Sequence, residues 1–300
     1  MFPGKISMAK PSSLTTLNAE ASRRLNAARA VPHITLDKFQ NCSLPGLVEF
    51  FMSSEAARES ADDVGWRGDT NGHPLDGVWR YLVAVWNGDT CRLLDGGRNN
   101  AQDIEFFALN SSEMVIPDSA SNLRLHEFEA RLVGGGKLAG LPSQLSYGLA
   151  SVVHELVENV FQHSDGDKRR CFRGVVGYHS MPNYFSFSVG DLGLGTLNSL
   201  RLSSQWSHLS DDREALDAIV SRHASRKVNM DCGEGFKTVI KNLVDRNTTI
   251  HLRSGKTAVC IKGGDGNRLA EWRVAPPLAG LHVSVVWTAL GTPEEKGFYG

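Results

Sequence analysis

The sequence lacks the features that would assign it to a membrane or nucleic-acid class. None of its apolar runs approaches the roughly 20 residues that cross a bilayer, and its N-terminus has no hydrophobic signal core. Its formal net charge is -1, which gives no general attraction to nucleic acid or to an anionic membrane. We therefore expect a cytoplasmic protein whose partners are neither nucleic acids nor membranes.

Cysteine is scarce and unfavourably spaced for metal binding or disulfide bonds. Five cysteines are scattered through 300 residues, and none belongs to a Cys-x-x-Cys pair. An odd number without paired spacing is typical of reduced cytosolic thiols, and no zinc site is expected. The remaining composition, 41% hydrophobic and 22% charged, indicates a globular chain with one large or two small domains.

The residues that are present divide the chain into four stretches. Residues 1–30 predict a weakly ordered tail, with an amphipathic targeting helix as the alternative. Residues 31–105 mix helical, strand-like and turn-rich runs and predict a small α/β module without a catalytic motif. Residues 106–292 carry the motifs considered below, and residues 293–300 predict a polar tail.

The third stretch alternates helical and strand-like patterns, which predicts an α+β fold. A helix over LHEFEARL is expected to end in the glycine run VGGGKLAGLP, and a second helix is expected to begin near Pro142. CFRGVVGYH and NYFSFSVGD predict two strands joined by a hairpin turn. Strand patterns return in TTIHLRS, TAVCIKG and LHVSVVWTA, with a turn expected at Gly255.

Polar residues and glycines interrupt this pattern in three places. Glu155 and Asn159 are four residues apart on the second helix, so their side chains share one face away from the apolar stripe. Asp191 ends a strand in DLGLG, and Gly233 and Gly235 precede a helix over FKTVIKNLVD. Each feature alone is common on solvated surfaces or in turns. Their order is the informative signal.

This ordered set resembles the GHKL superfamily of ATP-binding domains, which includes DNA gyrase, heat-shock chaperone ATPases, histidine kinases and mismatch-repair ATPases. HELVENVFQHS is similar to its N box, DLGLG to its first glycine box and GEGFKTVI to its second. The resemblance covers roughly residues 120–290. It implies a two-layer sandwich with helices on one face of a mixed, mainly antiparallel sheet, and it implies ATP and Mg²⁺ as ligands.

The resemblance also implies roles for the N box and the first glycine box. Asn159 matches the metal-binding asparagine, whose amide oxygen suits Mg²⁺. Glu155 matches the carboxylate that orients or deprotonates water in hydrolysing members, and it would be the catalytic residue. Asp191 matches the acceptor of the adenine amino group, while Gly193 and Gly195 let the backbone approach the base and the sugar.

The phosphate side of the implied site comes from the second glycine box and the segment before it. Gly233 and Gly235 would expose backbone N–H groups at a helix N-terminus, where the helix dipole favours phosphate. Arg226, Lys227 and Lys237 are candidate cations near the phosphates. Lys237 stands where the family often has a further glycine, which is a departure from its pattern.

Three functions remain open on this basis. The first is an ATP–Mg²⁺-binding regulatory protein with slow ATP hydrolysis, whose small N-terminal module acts as a sensor or partner platform. The second is a protein kinase resembling anti-sigma-factor serine kinases, and the third is a module that binds ATP without turnover. The polar segment between residues 195 and 233 is expected to be a mobile lid. A protein partner is expected but not identified, and a homodimer remains among the alternatives.

Overall fold

The computed structural model describes most of the third stretch and parts of the second. The described residues are 44–46, 48, 49, 52, 91–95, 102–110, 120–163, 173–222, 224, 247–264 and 267–289. The second glycine box and the candidate cations Arg226, Lys227 and Lys237 lie outside these residues, as do Gly233 and Gly235. No helix within the described ranges is long and apolar enough to span a membrane.

A single antiparallel sheet organises the described part of the chain. Its strands in chain order are β1 (Cys91–Asp95), β2 (Gln102–Asn110), β3 (Arg173–Met181), β4 (Tyr184–Asp191), β5 (Thr248–Gly264) and β6 (Asn267–Thr288). The order across the sheet is β1-β2-β3-β4-β6-β5, and every neighbouring pair is antiparallel. The last hairpin therefore inserts β6 beside β4 and leaves β5 at the edge.

The helices pack on this sheet in two pairs. They are α1 (Ala120–Ala139), α2 (Ser143–His163), α3 (Gly195–Arg201) and α4 (Asp212–Arg222), with a 3₁₀ turn at Ser204–Trp206. The helices α1 and α2 pack against each other, α1 contacts β2 to β4, and α2 contacts β4. The helix α3 contacts α4, β5 and β6, and α4 contacts β5. The α+β prediction is confirmed.

The apolar core lies between the helices and one face of the sheet, which we call the helix face. Because side chains alternate along a strand, every second residue of each strand points into this core. One row in register across five strands consists of Phe107, Val176, Val189, Val283 and Leu252. The apolar stripe of α2, from Leu145 to Val160, packs against this side.

The opposite face of the sheet, which we call the second face, is also buried but is rich in polar residues. In its row nearest the end of β4, Gly190 pairs with His282, and His282 pairs with Arg253. A short helical segment covers this row. We call it the docking segment, and its described residues are Leu44, Pro45, Gly46, Val48, Glu49 and Met52. Glu49 forms an ion pair with Arg253.

The structure corrects the predicted end of the first helix. The helix α1 continues through Gly134, Gly135 and Gly136 and ends at Ala139, although glycine normally weakens a helix. The reason is close packing, because a Cβ on Gly135 would lie 3.1 Å from the Tyr178 ring and one on Gly136 would lie 3.0 Å from Ser146 Oγ. The glycines let α1 approach β3 and α2.

The predicted turn at Gly255 is also wrong. Gly255 lies inside β5 with φ +54, at a register shift opposite β6, so it forms part of a β-bulge rather than a hairpin end. The strand β6 has extra residues between Val274 and Leu281 at the same place, including Pro276 and Pro277. Bulges tolerate proline because the ladder is already interrupted there.

Two predicted segments change their limits. The strand β2 crosses the boundary predicted between residues 105 and 106 and pairs with β3, so β1 and β2 extend the sheet of the third stretch. The first part of the predicted lid is well packed, because Leu200, Trp206 and Leu216 are buried in the core. These side chains anchor the segment as far as Arg222, and most of its remainder lies outside the described residues.

Candidate functional site

The carboxylate of Asp191 is the centre of the described part of the candidate site. It is 5% exposed and lies at the end of β4, on the helix face. The N–H of Gly193 donates to Oδ1 at 2.6 Å, and the N–H of Leu281 donates to Oδ2 at 3.0 Å. Since each carboxylate oxygen has two lone pairs, both oxygens keep capacity for a further donor.

Burial sets the acidity of this group. Desolvation raises the pKa of Asp191 to about 6, and the hydrogen bonds from the Gly193 and Leu281 N–H groups partly oppose the rise because they favour the charged form. At pH 7 the carboxylate is therefore mainly ionised and acts only as an acceptor. A donor such as an exocyclic amino group would match it.

Two glycines allow the backbone to pack closely around Asp191. Gly280 has φ +71, and a Cβ there would collide with the carbonyl oxygen of Asp191. Gly195 has φ +73 and begins α3, and a Cβ there would lie 3.0 Å from Ser254 Oγ. Both positions combine a left-handed backbone with close approach, which only glycine accommodates without strain. Gly193 contributes its N–H and does not have a positive φ.

Ser254 connects the elements around this loop, and sequence reasoning missed it. Its Oγ accepts a hydrogen bond from the Thr196 N–H at 2.9 Å and donates to the Gly280 carbonyl at 2.8 Å. It therefore ties the start of α3 to β6, one residue before Leu281. Gly280, preceding a strand-like run, was a sequence signal for a bulge, but nothing in the sequence linked it or Ser254 to Asp191.

At the start of α3, one buried polar atom has no hydrogen-bond partner among the described residues. Thr196 is buried, and its Oγ1 makes no hydrogen bond with the described part of the chain. Its N–H is already bound to Ser254, so only the hydroxyl is left to satisfy. A buried hydroxyl without a partner is costly. A bound polar ligand or water that reaches the first turn of α3 would satisfy it.

Glu155 and Asn159 stand on α2, the helix that contacts β4. Glu155 is exposed and Asn159 is half-buried. Neither side chain makes a hydrogen bond with the described residues, and no such bond joins either of them to Asp191. Their shared face follows from the four-residue spacing in a regular helix.

Asn159 is the described residue to which the resemblance assigns a metal ion. No group of three His, Cys, Asp or Glu side chains that could hold a metal ion occurs within the described ranges. A closed protein cage is thus not found there. The amide oxygen of Asn159 suits Mg²⁺ whose remaining ligands are phosphate oxygens and water.

A histidine–carboxylate contact lies next to Glu155 in the helix pair. Glu129 of α1 bonds His154 Nδ1 through Oε1 at 2.9 Å and His126 Nδ1 through Oε2 at 3.3 Å. The hydrogen bond to Glu129 is the main cause that raises the pKa of His154, and the charges of Glu158 and Glu155 add to it. The contact links α1 to the helix that carries both N-box residues.

No protein-family model matches the chain, and no curated protein matches it at a significant level. Any function assigned to this chain therefore depends on its own residues and their arrangement.

Proposed function

We propose that this chain is an ATP–Mg²⁺-binding regulatory protein of the GHKL type with slow ATP hydrolysis. The observation that supports it most is the Asp191 carboxylate, buried at the end of β4 with unused acceptor capacity. The sheet with helices on its helix face agrees with the two-layer arrangement that the resemblance implies. The N box and both glycine boxes occur in the expected order.

Base recognition is assigned to Asp191. Its ionised carboxylate accepts the adenine amino group, whereas the carbonyl oxygen of guanine at the same place would face a negative charge. Gly193 and Gly195 keep the approach to the base and sugar open. Because the pKa of Asp191 is about 6, protonation below that pH removes the acceptor, and the preference for adenine should decline there.

Phosphate and metal handling is assigned to α2 and to the second glycine box. Asn159 contributes an amide oxygen to Mg²⁺, which neutralises phosphate charge when bound. Glu155, one helical turn earlier, orients or deprotonates water. The backbone N–H groups of Gly233 and Gly235 contact phosphate, and the cations for the same region are Arg226, Lys227 and Lys237.

The binding part of this proposal is tested by equilibrium titration with ATP and GTP in the presence of Mg²⁺. The parent protein should prefer ATP, and Asp191→Asn should weaken ATP binding by about 1–3 kcal/mol, the range for a hydrogen bond to a buried charge. Asp217→Asn is the matched control, because Asp217 is a half-buried carboxylate that accepts a hydrogen bond from Ser221 within α4. Equal affinity of the parent for ATP and GTP would reject the adenine assignment.

The fate of the γ-phosphate separates the three functions. With γ-labelled ATP, release to water supports hydrolysis, transfer to a second protein supports the kinase alternative, and unchanged ATP supports a structural ligand. Glu155→Ala should retain ATP binding while turnover falls by about 10²–10⁴-fold, the usual contribution of a general base. Glu158→Ala on the same helix is the control. Parental turnover in Glu155→Ala would remove the catalytic role.

A further inference from the structure

The ion pair between Glu49 and Arg253 is buried on the second face of the sheet. Each side chain is 7% exposed. Burial lowers the pKa of Arg253 to about 10, so its guanidinium stays charged at neutral pH. A buried charge requires a nearby opposite charge or strong hydrogen bonds. Glu49 supplies the opposite charge from the docking segment, and the Pro276 carbonyl accepts a 2.6 Å hydrogen bond from Nη2.

Arg253 and Ser254 are consecutive residues of β5 that contact different parts of the protein. Arg253 binds the docking segment and Pro276, while Ser254 binds Thr196 and Gly280. The irregular stretch of β6 from Pro276 to Leu281 is therefore held at both ends, by Arg253 at the first residue and through Asp191 at the last. The register of β5 and β6 shifts within this stretch.

The docking segment also contacts the row behind Asp191. A Cβ on Gly190, the residue before Asp191, would lie 3.2 Å from Met52 Cγ and 3.0 Å from the His282 ring. His282 follows Leu281, whose N–H binds Asp191. Leu44, Val48 and Met52 are all buried. The segment thus packs directly behind the strand ends that hold the Asp191 carboxylate.

We propose that Glu49 and Arg253 are positioning residues, and that packing of the docking segment on the second face holds the Asp191 site in its binding geometry. The segment belongs to the stretch expected to sense or bind a partner, and a partner that captures it would release the site. This extension rests on the proposed nucleotide function. Its structural part, control of the Leu281–Asp191 contact by Glu49, does not need a nucleotide.

The test is amide hydrogen exchange of the full chain without nucleotide, read at Leu281 and Thr196. Glu49→Gln leaves Arg253 buried without its counter-charge, so the segment should undock and the protection of both amides should fall by about tenfold. Amides of β3 should keep parental protection. The double variant Glu49→Leu/Arg253→Met replaces the pair by apolar side chains and should restore protection, since such replacements are commonly tolerated.

A matched control uses a second acid–arginine contact among the described residues, in which the acid is buried. Glu105 binds Arg131 with two oxygens, at 2.7 and 2.9 Å, between β2 and α1. Glu105→Gln removes a similar charge from the helix face, and it should not change Leu281 and Thr196 selectively. Parental protection in Glu49→Gln would overturn the proposal, as would an equal loss at every core amide in both Glu49→Gln and the double variant.

ATP titration of the same variants then tests the nucleotide function separately from the positioning contact. Glu49→Gln should weaken ATP binding several-fold and the double variant should recover it. If the exchange result holds but the parent binds no ATP, the nucleotide function fails and the positioning contact stands. If ATP binds equally to the parent and Glu49→Gln, the link from docking to the site is wrong.

Discussion

The two faces of the central sheet are both buried, but they are built from different residues. On β4, Phe185, Phe187 and Val189 enter the apolar core of the helix face, while Ser186 and Ser188 point to the second face. Most of the helix face needs only complementary shapes, although Glu105 and Asp191 also lie there. The second face needs a partner for each polar atom, because an unpaired buried polar group is costly.

The second face meets that requirement only in part. Ser188 and Ser284 share a 2.7 Å hydrogen bond, whereas both ring nitrogens of His282 and Nε2 of His179 have no partner among the described residues. Burial lowers the pKa of His282 to about 3 and that of His179 to about 4. These histidines are therefore neutral at physiological pH. Apolar packing thus stabilises one face, and the other depends on polar groups remaining neutral or paired.

The largest expected effect on stability comes from comparing substitutions at two adjacent residues of β4, one on each face. Phe187→Ala removes a fully buried ring from the core, and it should reduce the free energy of unfolding by about 3–5 kcal/mol. Ser188→Ala removes one partner of the serine pair on the other face and should cost about 1–3 kcal/mol by leaving Ser284 unpaired. Urea unfolding monitored by circular dichroism measures both.

The double variant Ser188→Ala/Ser284→Ala sharpens this test. Removing both hydroxyls leaves no unpaired group, so it should be closer to the parent than Ser188→Ala alone. If Ser188→Ala costs as much as Phe187→Ala, the second face carries as much stability as the helix face and the comparison is wrong.

The sequence predicted the helix face far better than the second face. Apolar spacing in α2 and alternation in β3 and β4 gave elements close to those observed, including the two-residue turn at Pro182 and Asn183, where Asn183 has φ +65. Periodicity is a local signal, so it was sufficient there. It failed in α1 because Gly135 is selected by contact with Tyr178, which lies more than forty residues later.

In the candidate site, too, the sequence predicted residues that are close together along the chain and missed those that are far apart. Asp191, Gly193 and Gly195 are close in sequence and were identified together, and the structure places them in one loop. Ser254 and Leu281 come from strands far along the chain, so only the fold reveals their hydrogen bonds to this loop. The docking segment was likewise not linked to the site, since Glu49 has no local pattern that predicts Arg253 as its partner.

Acid tests the two faces through their buried titratable groups. His282, His251 and His179 have pKa values lowered by burial to about 3, 4 and 4, so the unfolded chain takes up their protons first as the pH falls. Stability from these groups is complete above about pH 6.5 and decreases as the pH falls towards 4. Each contributes a slope of about 1.4 kcal/mol per pH unit. Asp191, whose pKa is raised to about 6, acts in the opposite direction between about pH 6 and 4.

Two variants separate these contributions in urea unfolding between pH 7 and 4. As the pH falls, the free energy of unfolding should decrease less steeply in His282→Gln, because about one proton fewer is taken up on unfolding. It should decrease more steeply in Asp191→Asn, because the opposing Asp191 carboxyl is gone. Unchanged slopes in both variants would show that the buried groups of the two faces do not govern acid stability.

The smallest effect concerns a histidine outside both faces. His154 is 43% exposed on α2, and its hydrogen bond to Glu129 of α1 raises its pKa, whereas burial lowers the pKa of His282. The folded state therefore holds the His154 proton more tightly. Its contribution is fully present below about pH 6.5 and is lost as the pH rises through the raised value. Because the pair is solvent-accessible, it should contribute only about 0.2–1 kcal/mol.

Glu129→Gln removes the carboxylate that contacts both His154 and the stacked ring of His126, whose centroid is 6.3 Å from that of His154. Titration of the His154 ring by NMR should show its pKa falling, because only the charges of Glu158 and Glu155 then oppose the lowering by desolvation. Glu127→Gln is the control, because Glu127 lies on α1 and contacts Arg131 instead. If His154 titrates identically in Glu129→Gln and the parent, hydrogen bonding across α1 and α2 does not set its charge. In that case exposure alone would explain why this histidine differs from those on the second face.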